Sequence, residues 1–450
     1  MKDEMRMINQ ERHIGICGTF DVENYGDLLF PLIAEAELRR RLGALQLHRF
    51  SYHRKSPDNW PFAVTSLADL PAAAGGLDGM IIGGGDIIRF DQAIAPGYFP
   101  LTPDLHHPTG YWLTPMLMAL QHGRPVVWNA PGVHGVIPTW AEPLLKLTVT
   151  QCNYVSVRDE ASRRALGCFA KKGVIQVVPD TAFGVAQLIN GERPSAEYLR
   201  LRESLGLKAP YIIVQATTGL EAFSRLVRNY PEAFREHQLV ILPIGPVLGD
   251  DATSLGDSLP GSIRLTTWPS PLLLTELIGH AAAAVGISLH LTIAALAFGV
   301  PVFRPAGIFD GKYAVLLEFN TVTTFDNSSE IDPQWFAAKL GRTTPSAAVQ
   351  AAVSQLSKHW DCIAASFVVN DARPAPLETL ARFWQSLPSL LEAGDTRCEM
   401  ALAERDAMRT ERDAMRTERD AIYDSNSWKI TAPLRALDRC LWRQKTNNGE

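Results

Sequence analysis

HIGICGTFDVENYGDLLFPLIAEAELRRRLG, residues 13–43, places an apolar run, a polar loop and an amphipathic pattern in direct succession. HIGICGT (13–19) predicts a buried strand, and DVENYGD (21–27) predicts the loop that follows it. LLFPLIAEAELRRRLG (28–43) predicts a helix that ends at Gly43. Since a strand followed at once by a helix is the repeating unit of a parallel sheet, this stretch predicts an α/β fold.

The same alternation continues along most of the chain, on both sides of a Pro- and Gly-containing break at residues 190–198. After the break it restarts with YIIVQAT (211–217) and LVILPIG (239–245). The simplest account is two doubly wound α/β units in tandem, with a cleft outside the carboxyl ends of their strands. The predicted domains are an N-terminal Rossmann-like domain (1–190), a C-terminal Rossmann-like domain (198–390) and a helical tail (391–450).

The longest apolar stretch, AAAAVGISLHLTIAALAFGVPVF (281–303), is long enough to span a bilayer. It carries Ser288, His290 and Thr292 at its centre and then a Gly-Val-Pro break before its end, and it has no flanking basic or aromatic belts. We therefore interpret it as a strand, a turn, a buried helix and a second strand.

The composition excludes several classes of protein. The 450 residues are 46% hydrophobic and include 43 Lys and Arg against 48 Asp and Glu, a net charge of −5. This usage argues against a disordered or fibrous chain, and the charge predicts no nucleic-acid partner. Six scattered Cys without a CxxC pair exclude a disulfide framework and zinc fingers and are typical of a reducing compartment. Because the N-terminus lacks a secretory h-region, we expect a cytoplasmic location.

The tail contains a seven-residue repeat, ERDAMRT, that starts at Glu404, Glu411 and Glu418. Its apolar positions recur on one narrow stripe, which predicts either a short coiled coil for oligomerisation or partner binding, or a solvated helix held by Glu/Arg pairs. The segment SNSWKITAPLRALDRCLWRQK (425–445) combines Trp and Leu with Lys and Arg. It predicts an amphipathic basic helix that either lies on the inner face of the plasma membrane or packs on its own protein.

The loop between the first strand and helix holds Asn24, Gly26 and Asp27. Gly26 permits close approach of the backbone, and the free N–H groups of a helix start attract anions. The GxGxxG spacing of dinucleotide-binding loops is absent. The alternative interpretation is a turn in which Asp27 caps the helix.

A run of three glycines, Gly83, Gly84 and Gly85, follows the strand at Met80–Ile82 and precedes Asp86 and Arg89. A simple turn needs one glycine, so three predict close approach of a ligand to the main chain. Arg89 is positioned to bind a carboxylate or phosphate, or to form a surface salt bridge.

Two further side chains lie where strands are predicted to meet helices. Arg158 follows a Val-rich strand, where a guanidinium suits bidentate anion binding, or else pairs with Asp159 or Glu160. His290 starts the buried helix of the second unit. It is either a core histidine or, close to the predicted cleft, a group that transfers a proton or anchors an anion.

Six motifs in this order resemble the polysaccharide pyruvyl transferase family. They are GTFDVENYGD (18–27), MIIGGGDII (80–88), VSVRDEASRRAL (155–166), VVPDTAF (177–183), LPIGPVLGDD (242–251) and GISLHLTIAALAFGVPVF (286–303). The resemblance covers about residues 13–320. It implies a fold similar to the two-domain GT-B glycosyltransferases, with two Rossmann-like domains that face a cleft.

The resemblance also implies transfer of the enolpyruvyl unit of phosphoenolpyruvate to a glycan or lipid-linked oligosaccharide, with closure of a pyruvate ketal and release of phosphate. No cofactor or metal is implied. Catalytic roles fall to His290 as general acid, to Arg158, and to Asp27, which accepts or orients a hydroxyl proton, as Asp86 also could. The residues implied to bind substrate are Asn24, Gly26, Gly83, Gly84, Gly85, Asp86, Arg89, Ser288 and Lys312.

One position departs from the family pattern. Many members have Arg-Leu-His where this chain has Ser288-Leu289-His290, and Arg304 is a candidate replacement for the missing guanidinium. Two other functions stay open from the residues alone. One is a GT-B glycosyltransferase whose glycine loop and Arg158 hold a nucleotide-sugar diphosphate, and the other is a non-catalytic glycan-binding scaffold. The aromatic residues Tyr98, Phe99, Tyr111 and Trp112 are candidates either for stacking on sugar rings or for packing within the protein.

Overall fold

The computed structural model describes residues 11–90, 107–171, 173–189, 193–208, 210–251, 255, 258–265, 267–307, 311–319, 321–368 and 376–431. The chain forms two compact units, Met1–Arg382 and Phe383–Glu450. The predicted boundaries near residues 190, 198 and 391 stay predictions.

The first α/β half of the larger unit is built on a parallel sheet of five strands in the order β3-β2-β1-β4-β5. Two further strands, β6 and β7, pair with each other, and a bridge between Val127 and Tyr154 joins them to β5. The strands are β1 (Arg12–Cys17), β2 (Leu45–Ser51), β3 (Thr65–Ser66), β4 (Gly79–Gly83), β5 (Val126–Asn129), β6 (Val155–Val157) and β7 (Ile175–Val177).

Helices connect these strands, as expected for parallel pairs. They are α1 (Tyr25–Leu42), α2 (Leu70–Ala73), α3 (Gly110–His122), α4 (Glu142–Gln151) and α5 (Glu160–Leu166), and a 3-10 helix, Thr181–Gln187, follows β7. Gly43 ends α1 with a φ of 80°, a conformation that favours glycine, and the predicted end of this helix is therefore confirmed.

The second α/β half repeats the pattern with a six-stranded parallel sheet in the order β10-β9-β8-β11-β12-β13. Its strands are β8 (Tyr211–Gln215), β9 (Gln238–Leu242), β10 (Ile263–Arg264), β11 (Ala283–Val285), β12 (Val302–Pro305) and β13 (Val322–Phe325). Its helices are α6 (Ala196–Ser204), α7 (Glu221–Asn229), α8 (Pro271–Gly279), α9 (Leu289–Ala297), α10 (Pro333–Ala337) and α11 (Ala347–Val368).

Both sheets have the strand order of a Rossmann-like unit, in which the order reverses beside the first strand of the sheet. The reversal lies between β1 and β4 in the first half and between β8 and β11 in the second. The predicted fold class, two Rossmann-like units in a GT-B-like arrangement followed by a helical region, is confirmed. The apolar stretch 281–303 forms β11, α9 and β12, and none of the described helices is long and apolar enough to cross a membrane.

The two halves share one continuous apolar core. The Tyr25 N–H donates to the Ile244 carbonyl at 2.9 Å, and the Tyr25 hydroxyl lies 2.9 Å from the Thr275 hydroxyl. Helix α11 then returns from the second half to pack on the first, where Trp360 is fully buried. The larger unit is therefore held together by direct contacts between its two halves.

The smaller unit contains α13 (Asn426–Ile430) and most of α12 (Pro376–Asp424), whose first residues belong to the larger unit. The seven-residue repeat lies within α12 and is helical throughout. Met408, Met415 and Ile422 are 60%, 58% and 49% exposed. Most of the predicted basic amphipathic segment, from residue 432 onward, lies outside the described residues.

Candidate active site

A cavity of about 400 Å³ opens between the two sheets. The described residues that line it come in equal number from each half, and many belong to the loops after β1, β4, β8 and β11. These are the loops at the two points where the strand order reverses, where open α/β sheets bind their ligands. This cavity lies where the sequence predicts the cleft, outside the carboxyl ends of the strands.

His290 stands in the first turn of α9, at the wall that the second half contributes. Ser288 caps this helix by accepting the Leu291 N–H at 3.3 Å. The His290 Nε2 atom lies 3.6 Å from the Asp180 Oδ2 atom, which is too long for a hydrogen bond and within the range of an ion pair. The histidine therefore has an acidic neighbour on the protein side.

Asp180 is 3% exposed, and its other oxygen accepts the Ala182 N–H at 2.9 Å. Burial alone would raise the pKa of Asp180. The adjacent imidazole of His290, the charge of Arg158 and the Ala182 N–H outweigh this and lower the pKa. Asp180 therefore presents an ionised carboxylate to the imidazole of His290.

The imidazole of His290 rests on the backbone of Gly26. A Cβ atom at position 26 would lie 1.8 Å from the His290 Nδ1 atom. The ring of Phe30 meets the imidazole edge-on, with ring centres 5.5 Å apart and planes at 81°. Gly26 thus provides room for the histidine, rather than for a ligand directly.

Asp27 faces the cavity from the first turn of α1, where Asn24 Nδ2 donates to its Oδ2 atom at 2.9 Å. Burial raises the pKa of Asp27, against the opposing charges of His290 and Lys312 and a hydrogen bond from Thr19. A carboxylate with a raised pKa is a better proton acceptor than an ordinary aspartate.

Asp86 and Arg158 form a direct ion pair in the first half. Asp86 Oδ1 accepts from Arg158 Nη2 at 2.9 Å, and Asp86 Oδ2 lies 3.0 Å from His134 Nδ1. Arg158 also contacts Asp159 through Nε at 3.3 Å and is 8% exposed. Burial alone would raise the pKa of Asp86, but Arg158 and His134 lower it overall. Arg158 therefore lines the cavity with much of its charge already neutralised.

The three glycines after β4 have different neighbours. A Cβ atom on Gly83 would lie 2.8 Å from Ile16, and one on Gly84, whose φ is 56°, would lie 2.2 Å from the Phe30 ring. Gly85, with a φ of 72°, lines the cavity beside Asp27. Two of the three glycines are thus accounted for by packing within the protein, and Gly85 alone of this run lines the cavity.

The remaining predicted side chains are also placed. Asn24, Arg89, Ser288 and Lys312 line the cavity. Arg304 is not among its lining residues. Its guanidinium is fully buried, and Nη1 donates to the Ser288 carbonyl at 3.2 Å and to the Thr292 hydroxyl at 2.9 Å. Arg304 stabilises the start of α9 from within the protein core. It does not replace a guanidinium that faces the cavity.

Sequence reasoning missed four polar side chains here: Asp180, His134, Gln215 and Asp250. Gln215 Oε1 accepts the N–H groups of Ile287 and Ser288 at 2.8 and 2.7 Å, and its Nε2 atom donates to Asp250. It thereby fixes the loop that leads to His290. The available signal was a polar residue that ends the apolar strand YIIVQ.

Of the aromatic residues between Tyr98 and Trp112, Tyr98 and Phe99 lie outside the described residues. Tyr111 is buried and lines the cavity, and Trp112 is fully buried in the core. Trp140, which contacts Phe90 edge-on, is 43% exposed.

A comparison with protein families bears on these motifs. The family model described as "Polysaccharide pyruvyl transferase" matches residues 24–304, more than half of the chain. The chain belongs to the polysaccharide pyruvyl transferase family. The matched region of this pyruvyl transferase family member includes every predicted site residue except Lys312.

Solved structures with a similar fold include UDP-GlcNAc 2-epimerases. That of Methanocaldococcus jannaschii is 11% identical, over 78% of this chain and 100% of the epimerase, with a TM-score of 0.47. That of Neisseria meningitidis, bound to UDP-GlcNAc, is 13% identical, over 82% and 100%, with a TM-score of 0.46. No curated protein matches this pyruvyl transferase family member.

Proposed function

We propose that the chain transfers the enolpyruvyl unit of phosphoenolpyruvate to a sugar of a cell-surface or exopolysaccharide precursor. The product is a cyclic pyruvate ketal on two hydroxyls, and phosphate is released. The observation that carries this proposal is the His290–Asp180 pair at the start of α9, within electrostatic range of Asp27 in the same cavity. It supplies a proton donor and a proton acceptor around one space.

The wall from the second half is suited to the donor. Among the described residues that line the cavity, the acidic and basic side chains are equal in number, because Asp27, Asp86 and Asp250 oppose Arg89, Arg158 and Lys312. The positions of the basic groups therefore matter more for binding an anionic donor than the total charge of the cavity. Lys312, His290 and the N–H groups at the start of α9 together favour the phosphate and carboxylate of phosphoenolpyruvate.

The wall from the first half is suited to a sugar. It presents the carboxylates of Asp27 and Asp86, which accept hydrogen bonds from hydroxyls, together with the rings of Tyr52 and Tyr111. A glycan or lipid-linked oligosaccharide on this wall would offer its hydroxyls to a donor on the opposite wall. We place the reaction in the cytoplasm, with the tail as a contact to the inner face of the membrane.

The reaction starts with a proton from His290 to carbon 3 of the enol, which makes carbon 2 electrophilic. A sugar hydroxyl then bonds to carbon 2 while Asp27 accepts its proton. Phosphate leaves with the electron pair of its bond to carbon 2, and the second hydroxyl closes the ring. The two hydroxyl protons balance the one gained by carbon 3 and the one gained by phosphate, so no cofactor is required.

The test is a phosphate-release assay with phosphoenolpyruvate against a panel of free and lipid-linked glycans, with mass spectrometry of the products. We expect release that depends on an acceptor and a ketal on the glycan. His290→Ala should lower turnover at least about a hundredfold, whereas His122→Ala, at an exposed site outside the cavity, should not. Nucleotide release from a sugar donor, or no reaction with any acceptor, would overturn the proposal.

A further inference from the structure

His134 forms a second histidine–aspartate pair in the same cavity, and none of the steps above uses it. Its Nδ1 atom lies 3.0 Å from Asp86 Oδ2, and its side chain is 44% exposed. We propose that His134 is a further catalytic residue, which accepts the proton of the acceptor hydroxyl that closes the ketal ring. This inference rests on the proposed function.

Asp86 determines which nitrogen of His134 can act. The Asp86 carboxylate accepts from Arg158 at 2.9 Å, and the two basic neighbours keep its pKa below the usual value although burial opposes them. An ionised carboxylate accepts from Nδ1–H, so the neutral imidazole carries its lone pair on Nε2. His134 is therefore held in the tautomer of a general base, in the manner of other aspartate-oriented histidines.

The loop that carries His134 is fixed against the glycine loop. The Gly132 N–H donates to the Gly85 carbonyl at 2.8 Å, and the His134 N–H donates to the Ile88 carbonyl at 2.9 Å. The Val133 N–H donates to the Ser162 hydroxyl at 3.0 Å. Three successive anchors place the imidazole beside Asp86 before any substrate arrives, as a positioned base requires.

The chemistry provides a step for this base. Two hydroxyl protons leave the acceptor, and Asp27 takes the first. Asp86 already accepts from two donors and has a lowered pKa, which makes it a poor base for the second. In the ring-closing step the hydroxyl oxygen bonds to carbon 2, its O–H bond breaks, and the proton passes to His134 Nε2. The imidazolium then returns the proton to the departed phosphate.

The test compares His134→Ala, His134→Gln and the control His122→Ala in the full-length protein. We measure phosphoenolpyruvate binding by calorimetry and acceptor-dependent phosphate release with and without added imidazole. Both His134 variants should lose about 10²- to 10⁴-fold in kcat with unchanged phosphoenolpyruvate binding. Imidazole should restore part of the rate to His134→Ala and none to the other variants.

Three results would overturn the assignment of His134 while leaving the proposed function intact. They are normal turnover in His134→Ala, normal turnover in His134→Gln, which keeps a hydrogen-bond donor for Asp86 but offers no base, and a loss that imidazole does not restore. A wild-type protein that releases no phosphate from phosphoenolpyruvate with any acceptor would instead overturn the proposed function and this inference together.

Discussion

The imidazole of His290 occupies space that only glycine at position 26 leaves open. The two residues are far apart in the sequence and belong to different halves, yet the ring lies directly over the glycine backbone. Phe30 and Asp180 bound the same ring on other sides. The position of the proposed acid is therefore set by contacts between the halves as well as by the helix that carries it.

Gly26→Ala tests this arrangement. The new methyl group would lie 1.8 Å from His290 Nδ1, so the imidazole must move. Displacement of a catalytic group by about 1 Å can lower the reaction rate about a hundredfold. We therefore expect kcat in the phosphate-release assay to fall by at least this factor. Gly76→Ala is the matched control, since a Cβ atom there meets nothing within 4 Å. Equal activity of the two variants would contradict the proposed position of the His290 imidazole against Gly26.

Lys312 gives a prediction for the pH dependence of the rate. Asp27 must be ionised to accept a proton, so activity falls as the pH drops through the pKa of Asp27. Burial raises this pKa, and the charge of Lys312 partly opposes the increase. Lys312→Met should therefore move the acidic limb of the kcat profile to higher pH by a fraction of a unit. An acidic limb that is unchanged or moves to lower pH would contradict the role of Asp27. Lys339→Met, at an exposed site outside the cavity, serves as the control.

At the scale of elements, helix α11 ties the end of the second half to the sheet of the first. His359 is 2% exposed on this helix. Its Nε2 atom lies 3.0 Å from Asn129 Oδ1, and its Nδ1 atom lies 3.0 Å from the Tyr154 hydroxyl. A neutral ring satisfies both contacts, with Nε2–H as donor to Asn129 and Nδ1 as acceptor from Tyr154.

This contact predicts a loss of stability in acid. Burial, aided by the charge of Arg41, lowers the pKa of His359 to about 3, whereas an unfolded histidine titrates near 6.5. The unfolded chain binds the extra proton between these values, so His359 reduces stability by about 1.4 kcal/mol per pH unit as the pH falls below 6.5. The free energy of unfolding is measured with urea at several pH values. His359→Gln should lack this contribution to the decrease of that free energy with falling pH, and His122→Gln should keep it. Equal slopes in wild type and His359→Gln would contradict the prediction.

The elements were predictable because their signals are local. The apolar period of 13–43 and the alternation around 211–245 depend only on neighbours in the chain, and β1, α1, β8 and β9 lie where these patterns indicated. The site was predictable in part, because Asp27, Asp86 and His290 follow strand ends at the two reversals of strand order. Their partners Asp180 and His134 come from distant loops, and local hydrophobic periodicity does not predict which distant residues pair.

At the scale of the whole chain, the described residues that line the cavity lie between Thr19 and Tyr313, within the larger compact unit. The repeat of the smaller unit exposes Met408, Met415 and Ile422 at seven-residue intervals on one line of α12. An exposed line of this kind is expected to pair with the same line of a second chain. The two units therefore predict separable properties, catalysis and self-association.

Deletion of residues 391–450 should leave phosphate release with a soluble acceptor within about twofold of wild type, because it removes none of the described residues that line the cavity. The same deletion should convert an oligomer to a monomer in light scattering. Met408→Lys with Met415→Lys should have the same effect on mass, because two charges interrupt the apolar line. Thr410→Lys with Thr417→Lys, which share the spacing on another side of α12, should not. Loss of activity on deletion would make the tail part of the catalytic fold, and an unchanged mass would leave α12 a solvated helix.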